Sequence, residues 1–125
     1  MGYVRALIVD DHNDVRFLIR TIVADAGLPV EVVGEADGVE SALEQLDALV
    51  PDAVVMDARM PRVDGFEAAA LLLERRPQLP ILLCSAHVDD DVRRKAAAAG
   101  IRAVLSKDEF EAIPQTLLDL VGATG

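Results

Sequence analysis

Along the chain two kinds of apolar pattern alternate. Residues 4–9 (VRALIV), 30–36 (VEVVGEA), 53–56 (AVVM), 80–84 (PILLC) and 102–105 (RAVL) are short, mostly apolar runs with many β-branched members, the pattern of strands buried on both faces. Between them the apolar positions repeat with a helical period. Val15, Leu18, Ile19, Ile22, Val23 and Ala26 form one stripe of a helix that Gly27 can end. Val39, Ala42, Leu43, Leu46 and Val50 repeat the stripe before Pro51, and Phe66 to Arg76 makes a third helix closed by Pro77. An Ala-rich fourth runs from about Asp89 to Ala99, before Gly100. A short last helix covers Pro114 to Val121, because proline suits a first helical turn and would break an interior one.

Strict β-α alternation repeated along the chain predicts parallel strands joined by right-handed crossovers, a single doubly wound α/β sheet with helices on both faces. The 125 residues suit one domain over 1–125, with its core between 4 and 121. In such a sheet ligands bind beyond the carboxyl ends of the strands, where strand order reverses.

Composition narrows the picture. Hydrophobic residues make up 52% of the chain and aromatics only 3%, so the core must be built from Val, Ile, Leu and Ala. Twelve Lys and Arg against 22 Asp and Glu leave a formal charge of -10, which repels nucleic-acid phosphates. The basic cluster Arg93 to Lys95 directly follows Asp89 to Asp91, an order that complements a helix dipole. Neither nucleic-acid binding by this segment nor membrane binding is expected. Cys84, the single cysteine, excludes an internal disulfide and reads as an inert buried thiol. No run of 18 apolar residues exists, and the first residues, MGYVRALIVDD, meet acids before a signal-like region is complete. The expected compartment is the cytoplasm.

The residues at the strand ends carry the chemistry. Asp10 and Asp11 follow the first strand, Asp57 the third and Ser85 the fourth, with Lys107 shortly after the fifth; only the second contributes nothing obvious. Converging carboxylates repel, and such a group either raises a pKa or holds a hard cation. Oxygen donors, with no His or Cys nearby except His12, favour Mg²⁺ over a transition metal. Asp57, on the central strand, is placed as a nucleophile able to form an aspartyl phosphate. Lys107 and Ser85 can each take a phosphoryl oxygen, and Mg²⁺ a third. Taken singly, each residue has a plainer reading: Asp57 a turn residue, Asp10 and Asp11 caps of the first helix, Ser85 a helix cap and Lys107 a solvated lysine. It is their joint appearance at four of five strand ends that favours phosphoryl chemistry.

With Asp10-Asp11, Asp57, Met60-Pro61, Asp64-Gly65, Ser85-Ala86 and Lys107 at these spacings, the chain resembles the receiver domain of two-component response regulators, from Val4 to Val121. The resemblance implies a flavodoxin-like five-stranded sheet of order 2-1-3-4-5. It implies that Asp57 accepts a phosphoryl group from a histidine kinase or phosphotransfer protein, with Mg²⁺ held by Asp11, Asp57 and the main-chain carbonyl of Arg59, and by Asp10 through water. Ser85 would move onto the phosphoryl group, Lys107 would bind it, and the fourth helix, fifth strand and fifth helix would form the output face. Such a unit is a switch more than an enzyme.

The chain departs from the family at several positions. Val104 stands where receivers commonly carry a switch aromatic. Asp108 replaces the proline that often follows the lysine, so an ordinary trans bond is expected. The Lys107-Asp108 pair is similar to the subfamily that precedes a helix-turn-helix effector, which would lie outside this segment; a standalone receiver acting through protein contact or phosphorelay is the alternative, and dimerisation on phosphorylation is compatible with either. Arg59 and His87, two residues after Asp57 and Ser85, occupy positions that tune phosphoryl lifetime in the family. A Mg²⁺-dependent aspartyl phosphatase would want a second acid where Arg59 stands.

Overall fold

The structure, a computed structural model, describes residues 2–124. Strands β1 (Val4–Val9), β2 (Val30–Ala36), β3 (Ala53–Asp57), β4 (Ile81–Ser85) and β5 (Ala103–Ser106) alternate with helices α1 (Asn13–Asp25), α2 (Val39–Leu49), α3 (Gly65–Arg75), α4 (Asp90–Ala98) and α5 (Ile113–Thr124). All strand pairs are parallel, in the order β2-β1-β3-β4-β5. This is the doubly wound, flavodoxin-like sheet expected from the alternation and the resemblance. Chain order reverses between β1 and β3, and the crevice at their carboxyl ends is the predicted ligand position.

Alternate strand residues feed two cores, because successive side chains point to opposite faces of a sheet. Leu7, Val9, Val54, Met56 and Leu83 pack against Ala42, Leu46, Ala68, Leu72 and Ala96 of α2, α3 and α4. Ala6, Ile8, Val55, Leu82 and Cys84 pack against Ile19, Val23, Ile113 and Leu117 of α1 and α5. Each fully buried Leu, Ile or Val contributes about 1.5–3 kcal/mol relative to exposure. The central strands β3 and β4 are buried throughout, whereas every residue of the edge strand β5 is half-buried.

Several element ends differ from the sequence reading for identifiable reasons. Asp57 and Ser85 are the last residues of β3 and β4 rather than the first after them, since a polar side chain at a strand's end does not stop its backbone from pairing. Leu18 is 48% exposed and Phe17 59%, so the buried stripe of α1 is narrower than the apolar spacing suggests. Val50 is not part of α2's stripe: it is the left-handed C-cap (φ 48°), with its side chain 56% exposed. The last helix is longer than Pro114 to Val121, and a 3₁₀ segment, Lys107–Ala112, leads into it. That segment is polar apart from one anchor, Phe110, buried in the α1/α5 core.

Candidate functional site

Asp10 and Asp57 are buried at the carboxyl ends of β1 and β3, with 3% and 2% of their surface exposed. One ligand atom from each of Asp10, Asp11, His12 and Asp57 lies within 4.8 Å of the others. Lys107 Nζ lies 3.0 Å from Asp57 Oδ1, and the Arg59 backbone N–H donates to the same oxygen over a long 3.4 Å. The other Asp57 oxygen, Oδ2, is buried without a hydrogen-bond partner, as is Asp11 Oδ1. His12 Nδ1 stands 3.2 Å from Asp11 Oδ1, but only its 3.2 Å contact with Asp10 Oδ1 is a hydrogen bond.

A buried acceptor left unsatisfied costs about 1–3 kcal/mol, more when charged. Two such oxygens beside a third buried carboxylate form an anionic oxygen donor set that suits a hard divalent cation. The strain shows in Asp10, whose pKa is raised by burial; the His12 backbone N–H bond opposes that rise and the charge of Asp57 adds to it. Cys84, opposite Asp57 in the β3–β4 register, has its thiol pushed up to about 12, by burial first and then by the Asp57 charge. It is an inert thiol, as its apolar setting suggested.

Local chemistry fixes each group in place. After β3 the chain turns through Pro61 to Asp64, whose carboxylate caps α3 by accepting from Glu67 N at 2.9 Å. Gly65 then passes so close beneath β3 that a Cβ would collide with the Asp57 carbonyl and lie 2.8 Å from Ala58 Cα. Lys107 is positioned by a capping box: Ser106 Oγ accepts from Asp108 N (3.1 Å), and Glu109 Oε1 accepts from Ser106 N (2.9 Å). Among the described residues every peptide bond is trans, Lys107-Asp108 included. The β1–α1 turn is held by Arg16, which donates to the Asp10 carbonyl at 2.6 Å and to Glu35 at 3.1 Å.

Of the residues singled out in the sequence, Asp10, Asp11, Asp57 and Lys107 are brought together. Arg59 joins through its backbone N–H, while its residue is exposed. Ser85 is buried at the end of β4, but its hydroxyl is turned to its own chain, donating to the His87 carbonyl at 2.8 Å. The cap of α4 is Asp89, not Ser85; Asp89 accepts from Val92 N, and that bond is the main cause of its lowered pKa. Val104 is half-buried against the α2/α3/α4 core.

His12, the one imidazole near the strand-end acids, lies against two of them, and two further contributors stand outside the residues singled out in the sequence. β2 does contribute, through Glu35, whose carboxylate pairs with both Arg16 and Arg20; nothing in the sequence links residues from two different elements. The S-x-x-E spacing of Ser106 and Glu109 was a readable capping signal.

The chain matches the Response regulator receiver domain family over residues 6–118. It is 35% identical over 104 residues to the response regulator GacA of Pseudomonas viridiflava, covering 83% of this chain and 48% of that protein. To the DNA-binding transcriptional activator DevR/DosR of Mycobacterium tuberculosis it is 37% identical over 106 residues, covering 84% of this chain and 48% of that one. The chain therefore spans about half the length of these curated relatives. Its fold superposes on the signal receiver domain of NarL from Mycobacterium tuberculosis with a TM-score of 0.88 at 33% identity, covering 98% of both chains. Sheet order, acidic cluster, paired lysine and sequence likeness agree: this chain belongs to the receiver domain family of response regulators, the regulatory phosphoacceptor units of two-component signalling.

Proposed function

We propose that Asp57 is the phosphoacceptor of this receiver and that the whole segment 1–125, with its core at 4–121, works as one switch. A carboxylate oxygen of Asp57 attacks the phosphorus of a phosphohistidine on a histidine kinase or phosphotransfer protein. The P–O bond forms, the P–N bond breaks and the imidazole leaves. The reading rests chiefly on one observation: Asp57 is buried, ion-paired to Lys107 at 3.0 Å, and retains an oxygen without a partner. Lys107 pairs with Asp57 before transfer and balances phosphoryl charge after it.

The donor set fits Mg²⁺: Asp11, Asp57 and the main-chain carbonyl of Arg59 would hold it, and Asp10 would assist through water. When bound, Mg²⁺ supplies screening of the carboxylates and of the incoming phosphoryl oxygens. Ser85 exchanges its bond to the His87 carbonyl for one to the phosphoryl group, drawing the β4–α4 loop inward. Val104 leaves that movement without an aromatic partner, so the rearrangement spreads through packing of α4 on β5. The α4–β5–α5 face carries the signal onward, to an effector outside this segment or to a second copy in a phosphorylation-dependent homodimer. The DNA-binding relative DevR/DosR, 48% of which the match covers, favours a transcriptional output. The chain itself is a regulatory domain that assists its own phosphorylation and dephosphorylation rather than an enzyme with a separate substrate. Among the described residues no helix is long and apolar enough to cross a membrane, and the cytoplasm is the proposed compartment.

Incubation with a small phosphodonor and Mg²⁺, read by intact-mass spectrometry, tests the reading. A single phosphoryl adduct is expected on the native chain and none on Asp57→Asn. An adduct that persists on Asp57→Asn, or that fails to form on the native chain, overturns it.

A further inference from the structure

We infer that Ser106 and Glu109 are positioning residues for phosphoryl transfer: their capping box, through its hydrogen bonds and not its charge, aims Lys107 at Asp57. The inference rests on the phosphoacceptor reading above and adds what makes the lysine effective in it.

Lys107 stands where the sheet gives out. β5 is an edge strand whose residues are all half-buried, and its register with β4 ends at the pair Ser85 and Ser106. Lys107 is the next residue, beyond the ladder, and its flexible stem has to pass β4 to reach β3. It does so, with Nζ 3.0 Å from Asp57 Oδ1 and the side chain 30% exposed. Ordering a long side chain costs rotamer entropy, and that cost is smaller when the backbone already aims it. No ladder bond of β5 does this for Lys107.

The capping box does. Asp108 N–H donates to Ser106 Oγ at 3.1 Å, and Ser106 N–H donates to Glu109 Oε1 at 2.9 Å. One N–H belongs to the peptide that enters Ser106 and the other to the peptide that leaves Lys107, so the torsions of both residues are held from both ends. Phe110, 7% exposed, anchors the same segment in the α1/α5 core. The box depends on residue 108 having an N–H to give, which the proline that often follows this lysine in the family lacks. Where a proline ring would stiffen the chain, two side chains do so here. The charge of Glu109 is not needed for this, because glutamine closes the same box.

Phosphorylation by acetyl phosphate at saturating Mg²⁺, followed by intact-mass spectrometry on folded protein, tests the inference. Ser106→Ala and Glu109→Ala should each slow the reaction about tenfold, within the roughly 100-fold that a misplacement of about 1 Å can cost. Ser106→Thr and Glu109→Gln rebuild the box and should stay within about twofold of the native rate. Glu111→Gln removes an exposed acid from the same segment and should match the native chain. Because the box acts through the lysine, removing it from a Lys107→Ala chain should slow the reaction no further. Calorimetric Mg²⁺ affinity should be the same in the native chain and the four box variants. Alanine variants that react at the native rate, or that slow the Lys107→Ala chain by the same factor as the native one, overturn the inference. So does a Glu109→Gln chain as slow as Glu109→Ala. Those outcomes leave Asp57 as the acceptor, whereas a native chain that takes no phosphoryl group overturns both readings.

Discussion

Gly65→Ala gives the sharpest test of how the fold positions the site. Gly65 is buried at the first turn of α3, and an added Cβ would collide with the Asp57 carbonyl and sit 2.8 Å from Ala58 Cα, both backbone atoms of the segment that carries the Asp57 carboxylate. Overpacking of this kind costs about 1–3 kcal/mol, and rigid backbone neighbours put it in the upper part of that range. Alanine offsets about 0.4–1 kcal/mol by restricting the unfolded chain. The net loss should be about 1–2 kcal/mol, seen as a fall of about 0.5–1 M in the urea midpoint with an unchanged slope. Gly122→Ala is the control: beyond its own helical turn no atom lies within 4 Å of its Cβ position, and at this exposed position of α5 alanine should gain about 0.5–1 kcal/mol. Because the displaced atoms carry Asp57, the phosphorylation rate of Gly65→Ala should fall as well. A Gly65→Ala protein as stable as the native chain would refute the close approach as the reason for glycine here.

Asp10→Asn should stabilise the metal-free protein at pH 7 and weaken Mg²⁺ binding. Two carboxylates 4.8 Å apart, the outer limit of this cluster, repel by about 3.5 kcal/mol at an effective dielectric of about 20; with Lys107 offsetting part of that, a gain of about 1–2 kcal/mol is expected. The pKa of folded Asp10 is raised above its ordinary 3.8, so between that value and the folded one the folded chain holds the extra proton, and native stability falls as pH rises through the window. The advantage of Asp10→Asn should accordingly fade towards pH 4 in urea melts run with a chelator, and a native chain more stable than the variant at pH 7 would contradict it. Val50→Gly should raise stability by about 1 kcal/mol in thermal melts, because a β-branched residue is held at φ 48° with its side chain mostly in water; a lower melting temperature would show that the valine is not strained.

Strands buried on both faces were legible because their apolar runs have no other explanation, and the acids at their ends stood out against those runs. Asp10, Asp11, Asp57 and Lys107 came together for this reason, since sheet topology alone carries residues so distant in sequence to one edge. What periodicity could not settle was how much of an apolar stripe a neighbour covers, and so Leu18 reads as core but is half-exposed. Nor could it reveal Val50 in a left-handed cap, where the chain's exit towards Pro51 overrides the valine's preference. Arg16, Glu35 and the Asp10 carbonyl form a bridge between α1, β2 and the β1–α1 turn. Their identities are those of ordinary surface charges, and only the register of β2 beside β1 makes them a support for the site.

The distance along the chain between Asp57 and Lys107 has a consequence for biosynthesis. Asp57 leaves the ribosome well before Lys107, so a polypeptide halted between them carries the acid without the cation that pairs with it. The ion pair on which the proposed switching rests is thereby completed only once β5 has docked.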